Sequence, residues 1–398
     1  MKYFIFLVSL LLNSAFVYVL GSRSVLPLPL GSFLSVQEGV WQNAEPVDAD
    51  FNASLRFDAL QDKVDVFLDD RLVPHVFAEQ ENDAYFVQGY LHAKFRLWQM
   101  EFQTHAAAGR VSEIVGEKAI NFDRNQRRMG MVYAAENALA AMENDPQTIS
   151  AIDAYTAGVN AYISSLKTSD LPIEYKLLGY QPEKWTNLKS ALFTKQMTQT
   201  LAGYDRDFEF TNALKLLGEE NFRILYPSIP DSLYPVIAKG TVYNKPLAVL
   251  NTPASADSLY FKRTDTIQFV EDFKPNPSNG SNSWAVCGNK TQSGKPILSN
   301  DPHLGLTLPS IWFEIQLRTP AFNAYGVSFP GLPGVVIGFN DSISFGFTNA
   351  GRDVKDYYEI QFRNADKQEY WFDSSWKPTT RRLEQIRIKN AKTVEDTV

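Results

Sequence analysis

Residues 274–286 read KPNPSNGSNSWAV, and the character of the chain changes within this stretch. Its first half is rich in Pro, Asn and Gly, a composition that favours a linker over a helix or a strand. Beyond it, apolar and polar residues alternate as they do in half-buried β-strands. The junction between Gly280 and Ser281 therefore separates two regions that we expect to fold differently.

The region before the linker is predicted to be mostly helical. From Asn82 onward, apolar residues recur three and four positions apart, which places them on one face of a long helix. Asp145 and Pro146 are typical of the start of a second helix, since Asp caps free backbone N–H groups and Pro fits the first turn. A third helix is predicted over about 188–217, ending at Gly218. Short strands are predicted before these helices, over Ala53–Phe57, Val64–Leu68 and Val73–Phe77.

The region after the linker is predicted to be a β block. Apolar residues alternate with polar ones over 311–317, 343–347 and 358–362, and Gly, Asn and Asp mark the turns between them. Helices first and strands later predict a layered α+β protein. The predicted organisation is a leader over 1–22, a helical region over 23–225, a linker over 226–280 and the β block over 281–398.

The N-terminal segment indicates where the protein is located, and the net charge indicates which partners it can bind. Lys2 is followed by twenty uncharged residues, the layout of a secretory signal or of a single membrane anchor, and both alternatives stay open. We therefore expect an exported protein. With 38 basic and 45 acidic residues the net charge is −7, and no long basic run predicts a nucleic-acid partner. The single cysteine, Cys287, excludes an intrachain disulfide.

The residues at the junction allow one type of catalysis. A serine that follows a linker can become a chain terminus if the chain is cut, and its free α-amine would then have a pKa of about 7.7 to 8.0. Such an amine is a suitable general base, and it belongs to the same residue as the hydroxyl that it would activate. A Gly-Ser pair is also typical of an ordinary turn, and the residues alone leave both interpretations of Ser281 open.

Eight short motifs resemble one known family in their order. SNSWAV at 281–286, SNDPHL at 299–304, GVSFPGLPGVVIGFN at 326–340 and GFTN at 346–349 are similar to the start of the β-chain of the penicillin acylase family. Upstream, PHVFAE at 74–79, QGYLHA at 88–93, RLWQME at 96–101 and AAGR at 107–110 resemble its α-chain. The similarity covers residues from about 70 to 362.

The resemblance implies an N-terminal nucleophile hydrolase, with at least part of an αββα sandwich. It implies a periplasmic precursor that cuts itself between Gly280 and Ser281, becomes an α/β heterodimer and acts on N-acylated small molecules. Ser281 would supply both the nucleophile and the α-amine base, and a backbone N–H of Asn349 or Ala350 would bind the oxyanion. His303 would lie near the nucleophile, although a histidine in a hairpin turn is the alternative.

The resemblance also implies one structural calcium ion. Asp353 and Asp356 would bind it through their side chains and Lys355 through its main-chain carbonyl, as suits a cation that prefers oxygen ligands. Glu209 would be the ligand from the helical region, with Asp207 as a competing choice. The alternative for Asp353 and Asp356 is a solvated turn without an ion.

The chain departs from the family pattern in one respect. The resemblance implies a second oxyanion donor, an arginine near the nucleophile and further calcium ligands, and none can be assigned within 281–398. We therefore expect an incomplete chain, poorly soluble and without measurable acylase activity, in which strands at 311–317 and 343–347 lack partners.

Two kinds of function stay open. One is an acylase with a preference for penicillins, cephalosporin side chains or N-acyl homoserine lactones. The other is a secreted binding protein that keeps the fold without turnover, to which the 13% of aromatic residues would be suited. A free N-terminal Ser281 distinguishes them, because only catalysis requires it.

Overall fold

The structure is a computed structural model that describes residues 1–22, 30–37, 39–44, 49–202, 206–227, 240–242, 280–349 and 354–398. The chain forms two compact units, each described by itself: Met1–Leu201, Asn276–Ala350 and Thr379–Val398 in the first, and Ala202–Pro275 and Gly351–Pro378 in the second. The described helices are α1 (Lys2–Gly21), α2 (Glu81–Ala107), α3 (Ser112–Val115), α4 (Ile120–Arg128), α5 (Met131–Met142), α6 (Pro146–Ser165), α7 (Ile173–Leu178), α8 (Asn187–Ala202) and α9 (Asp207–Leu225). The described strands are β1 (Asp65–Leu68), β2 (Pro74–Phe77), β3 (Gly280–Val286), β4 (Ile297–His303), β5 (Phe313–Arg318), β6 (Asn323–Ser328), β7 (Ile337–Asn340), β8 (Ser344–Phe345), β9 (Glu369–Phe372), β10 (Ser375–Pro378), β11 (Leu383–Ile386) and β12 (Val394–Thr397).

The two long helices predicted from the sequence, α2 and α6, pack with their backbones in contact. A Cβ atom on Gly158 would lie 1.8 Å from the carbonyl oxygen of Phe86, and one on Gly89 would lie 2.2 Å from that of Tyr155. Only glycine permits this approach. Asp145 is the N-cap of α6, as predicted, and its side chain accepts a backbone N–H. The buried side chains around this contact are Ala93, Leu97, Met100, Tyr155, Val159, Leu171, Tyr175 and Trp185.

The third predicted helix, 188–217, is wrong as a single element. In the structure α8 ends at Ala202 and α9 begins at Asp207, with 203–205 outside the described residues. Asp207 and Glu209 lie in the first turn of α9, where carboxylates are stabilised by the positive end of the helix dipole, and this favours a second start. Gly218 leaves helical geometry with φ 73°, as the sequence predicted, although α9 continues to Leu225.

A six-stranded sheet in the first unit has the order β1-β2-β5-β6-β7-β8. The predicted antiparallel block is present from β5 to β8, and β2 of the helical region joins it by pairing parallel with β5. Phe313, Ile315 and Leu317 of β5 are buried and pack in one cluster with Phe86 and Leu91 of α2. The chain is thus α+β, as predicted, and the expectation that 311–317 lacks sheet partners is wrong.

Other predicted strands are absent or short in the structure, although their apolar and polar residues alternate. Residues 53–57 form no strand, and Phe57 instead packs its ring against those of Phe86 and Tyr90. Within 343–347 only Ser344–Phe345 pair, at the sheet edge, and within 358–362 only an isolated bridge from Phe362 is present. Alternation indicates that one face of a strand could be buried, but it does not supply the neighbour that buries it.

A chain of buried hydrogen bonds links α2 and α6 to the strands. The Tyr155 hydroxyl accepts the N–H of Gly331, and its own proton points to Nδ1 of His92 at 2.8 Å when that nitrogen is unprotonated. The Ser328 hydroxyl donates to the carbonyl of Phe313, so it accepts the Nε2 proton of His92 at 2.9 Å. Each group has a partner only if His92 is neutral and carries its proton on Nε2. Burial lowers the pKa of His92 to about 3, in keeping with this neutral form.

The N-terminal helix α1 is long and apolar enough to cross a membrane. Its mean hydropathy is 2.2 and none of its residues is buried. A signal sequence has the same properties, so the choice between signal and anchor stays a prediction.

His92 makes the stability of the fold depend on pH. The unfolded chain binds a proton at His92 below about pH 6.5, whereas the folded chain does so only near pH 3, so stability is lost as the pH falls between these values. We expect this residue alone to lower the free energy of unfolding by about 2 kcal/mol from pH 7.5 to pH 5. In His92→Gln, whose amide can replace both hydrogen bonds, urea unfolding should lose that part of the pH dependence. An unchanged pH dependence in the variant would contradict the neutral, buried histidine.

Candidate functional site

Ser281 lies at the start of β3, against the carbonyl of the residue before it. The strand pairs antiparallel with β4, and Ser281 is half-buried opposite Pro302. Its Oγ donates a hydrogen bond to the carbonyl oxygen of Gly280 at 2.5 Å. The hydroxyl thus contacts the peptide group that the sequence predicted to be cut.

His303 ends β4 directly opposite Gly280. Its Nδ1 lies 3.7 Å from the point that a Cβ atom on Gly280 would occupy, and its Nε2 lies 2.8 Å from Oδ2 of Asp301. The amide nitrogen of Asn282 is farther from Nε2, at 3.4 Å. The hairpin therefore brings together Gly280, Ser281 and His303, three of the residues predicted from the sequence.

The pairing of β3 with β4 decides which groups His303 can reach. Directly paired residues in an antiparallel ladder share a face of the sheet, and successive residues alternate between faces. Asn282, Asp301 and His303 are consequently on the same face as Gly280, and the Ser281 side chain is on the other. His303 borders the main chain next to Ser281 rather than its hydroxyl.

The predicted oxyanion turn begins beside the same hairpin. The amide of Asn300, a residue of β4, donates to the carbonyl of Phe347 at 3.1 Å, and a Cβ atom on Gly346 would lie 2.8 Å from that of Asn300. The side-chain amide of Asn349 donates to the carbonyl of Leu201 near the end of α8. Ala350, the other predicted donor, lies outside the described residues.

The predicted calcium ligands that the structure describes, Glu209, Lys355 and Asp356, fall in the second unit. Glu209 is in the first turn of α9, and Phe208 beside it packs on Tyr357, with 4.2 Å between the ring centroids. Tyr357 follows Lys355 and Asp356, so this contact brings the helix and the predicted calcium segment together. The ammonium of Lys355 lies over the Tyr357 ring, 5.3 Å from its centroid. Asp353 lies outside the described residues.

A second group of metal-capable side chains, which the sequence did not predict, is already neutralised. His105, Glu113 and Glu183 place ligand atoms within 4.8 Å of one another. Arg110 donates to both carboxylates, at 2.6 Å to each at the closest, and its hydrogen bonds lower the pKa of Glu183 to about 2. Lys189 adds a second cation 3.3 Å from Glu183. The positive charge that a metal ion would bring to these carboxylates is supplied by the Arg110 guanidinium. We therefore assign the group a structural role.

Comparisons with known proteins agree with the motifs. Residues 63–398 match the sequence profile of the family described as penicillin amidase. The chain belongs to the penicillin amidase family. This membership confirms the resemblance seen in the motifs, and it agrees with the α+β fold described above.

The relatives similar to this chain include an acyl-homoserine lactone acylase and penicillin acylases. An acyl-homoserine lactone acylase, QuiP, of Pseudomonas aeruginosa is 32% identical over 319 residues, which are 80% of this chain and 37% of that protein. Penicillin acylase 2 proenzyme of a Pseudomonas species is 30% identical over 85% of this chain and 42% of its own. Penicillin G acylase of Escherichia coli is 26% identical over 84% and 44%. The chain spans about two fifths of the length of these relatives.

A solved structure also resembles the chain. It is a thermostable penicillin G acylase from Alcaligenes faecalis, with a TM-score of 0.39, 22% sequence identity and coverage of 44% of this chain and 97% of that one.

The contact between β4 and the turn before Asn349 can be tested by adding one methyl group. In Gly346→Ala the new Cβ atom would meet the Asn300 side chain at 2.8 Å, so that side chain must shift and release the Phe347 carbonyl. We expect a loss of about 1–3 kcal/mol in the free energy of unfolding. Gly305→Ala is the matched control, because nothing lies within 4 Å of its added carbon. Equal stability of the two variants would contradict this contact.

Proposed function

We propose that the protein is an N-terminal nucleophile amide hydrolase that cuts itself between Gly280 and Ser281. The observation that carries the proposal is the placement of Ser281, whose hydroxyl contacts the Gly280 carbonyl while His303 lies opposite Gly280. Membership of the penicillin amidase family supports the reaction class.

The first reaction forms the nucleophile. The Ser281 oxygen attacks the Gly280 carbonyl carbon, the C–N bond breaks, the hydroxyl proton passes to the departing amine, and water hydrolyses the resulting ester. The products are a carboxylate on Gly280 and a free amine and hydroxyl on Ser281. This amine has an ordinary pKa of about 7.7 to 8.0 and can accept the hydroxyl proton in the second reaction.

The second reaction removes an acyl group from an N-acylated small molecule. The Ser281 oxygen attacks the amide carbonyl, the amine leaves with a proton, and water releases the acid from the acyl-enzyme. A backbone N–H of Asn349 or Ala350 stabilises the oxyanion. His303 faces the side of Ser281 from which Gly280 departs.

The names of the relatives support a substrate class. They are an acyl-homoserine lactone acylase and penicillin acylases, whose substrates share an acyl group joined to nitrogen in a small molecule. We extend only that common feature to this chain.

Cutting would produce an α-chain and a β-chain that remain associated as a heterodimer. The β2–β5 pairing supports this, because it joins the two chains within one sheet. The apolar helix α1 supports export, with a periplasmic location as the proposed destination.

One calcium ion is proposed for the second unit. Glu209, Asp353 and Asp356 would hold it with their carboxylates and Lys355 with its carbonyl, and the ion would join α9 to the segment around Tyr357. The contact between Phe208 and Tyr357 supports this placement.

The proposal is tested by variants of Ser281 in the protein expressed from its whole gene. Ser281→Ala should prevent cutting and reduce hydrolysis of a chromogenic phenylacetyl anilide by more than about 1,000-fold, since it removes the attacking oxygen. Ser281→Cys should retain some cutting, because a thiol can attack the same carbonyl. Gel electrophoresis measures cutting and absorbance measures hydrolysis.

Ser283→Ala is the matched control on the same strand, where the lost hydroxyl bonds only the Ser299 carbonyl among described groups. It should cut and hydrolyse like the unaltered protein. A Ser281→Ala protein that still hydrolyses amides would exclude the proposed mechanism, and an uncut protein that binds acyl amides without turnover would favour a binding function.

If calcium binds, it should raise the free energy of unfolding, and a chelator should remove that contribution. An ion that binds only the folded chain at 100 times its Kd adds about 2.7 kcal/mol, so a chelator should lower the melting temperature by several degrees. Asp356→Asn should reduce this effect of the chelator, whereas Asp366→Asn, an exposed carboxylate of the same unit, should not. If the chelator leaves the melting temperature unchanged, the calcium proposal is wrong and these carboxylates are ordinary surface groups.

A further inference from the structure

We propose that Asp301 is a positioning residue, which holds His303 so that its Nδ1 accepts a hydrogen bond from the α-amine of Ser281. The inference rests on the proposed function, because that amine exists only after the chain is cut. Asp301 lies within the SNDPHL motif, but neither the sequence nor the comparisons give it a role.

The contacts of His303 determine which nitrogen carries its proton. Nε2 has the Asp301 carboxylate at 2.8 Å and the Asn282 amide nitrogen at 3.4 Å. A carboxylate can only accept a hydrogen bond, and one to a charged group is the stronger and shorter kind. Nε2 therefore donates to Asp301, and in the neutral ring Nδ1 is left with its lone pair.

The strand register places Nδ1 of His303, and with it the lone pair, beside Gly280. Asp301 and His303 are two residues apart on β4, so their side chains lie on one face, where they can meet. Nδ1 lies 3.7 Å from the Cβ position of Gly280, the residue directly opposite. The imidazole therefore borders the space that Gly280 leaves when the chain is cut, next to the nitrogen that becomes the amine.

An acceptor at this place orients the amine for catalysis. When one N–H of the amine bonds to Nδ1, the nitrogen cannot rotate freely and its lone pair is available for the proton of Oγ, which is on the other face of the strand. Without Asp301 the ring can carry its proton on Nδ1 instead, and that N–H would bond the lone pair of the amine, which is then not available for the proton of Oγ. Asp301 thus acts through His303 and touches neither substrate nor amine.

The test separates cutting from turnover in the protein expressed from its whole gene. Asp301→Asn should cut at the normal rate, since the residue acts on the amine that cutting creates. Its kcat for a phenylacetyl anilide should fall by about 10- to 100-fold with KM nearly unchanged. This loss is at or below the lower end of the roughly 100- to 10,000-fold that proton transfer contributes, because the pair is open to water. Asp301→Glu, which keeps the carboxylate, should recover part of the loss. Asp341→Asn, an exposed turn carboxylate of the same β block, is the matched control.

A double-mutant cycle distinguishes positioning from a structural effect. If Asp301 acts only through His303, then adding Asp301→Asn to His303→Ala should cause no further loss of kcat, whereas independent structural effects would add. Normal kcat in Asp301→Asn, additive losses, or slow cutting in that variant would each overturn this inference and leave the proposed function intact. An unaltered protein that neither cuts nor hydrolyses would overturn the proposed function and this inference with it.

Discussion

The backbone contact between α2 and α6 is the constraint on which the rest of the first unit depends. Gly89 and Gly158 allow the two helices to approach without intervening side chains, and Tyr155 is thereby held beside α2. From that position its hydroxyl reaches both His92 and the N–H of Gly331. A larger residue at either glycine would separate the helices and remove the tyrosine from both partners.

This contact also fixes the strands that lead to the candidate site. Gln88, next to Gly89, accepts from the N–H of Gly334 and donates to its carbonyl, so the segment between β6 and β7 is held at both Gly331 and Gly334. β7 pairs with β8, and the residues after β8 contact Asn300 in the hairpin of Ser281. A continuous series of contacts thus joins the packing of the two helices to the hairpin that holds Ser281.

The sequence predicted those parts of the fold whose signals are local. The apolar period of α2 and the Asp-Pro start of α6 need no information from other parts of the chain, and both predictions are confirmed. The single helix over 188–217 and the strand over 53–57 were wrong, since the first depends on a restart at Asp207 and the second on a partner that is absent from the described residues. The junction at Ser281 and the family were recognisable because short motifs keep their order along the chain.

The geometry of the candidate site could not be predicted in the same way. That His303 lies opposite Gly280 rather than Ser281 follows from the register of β3 and β4, which no single segment specifies. Asn300 contacts Phe347, 47 residues away, and the role proposed for Asp301 depends on His303 lying opposite Gly280 across the hairpin, although both residues lie in a recognised motif. The bond between Gln88 and Gly334 joins residues 246 positions apart.

The most direct test of the account is to identify the chain termini of the purified protein. Chemical labelling of α-amines, followed by mass spectrometry, should find a labelled peptide that begins at Ser281 in the unaltered protein and none in Ser281→Ala. A protein that hydrolyses acyl amides while every molecule retains the Gly280–Ser281 bond would contradict the claim that Ser281 acts as an N-terminal nucleophile.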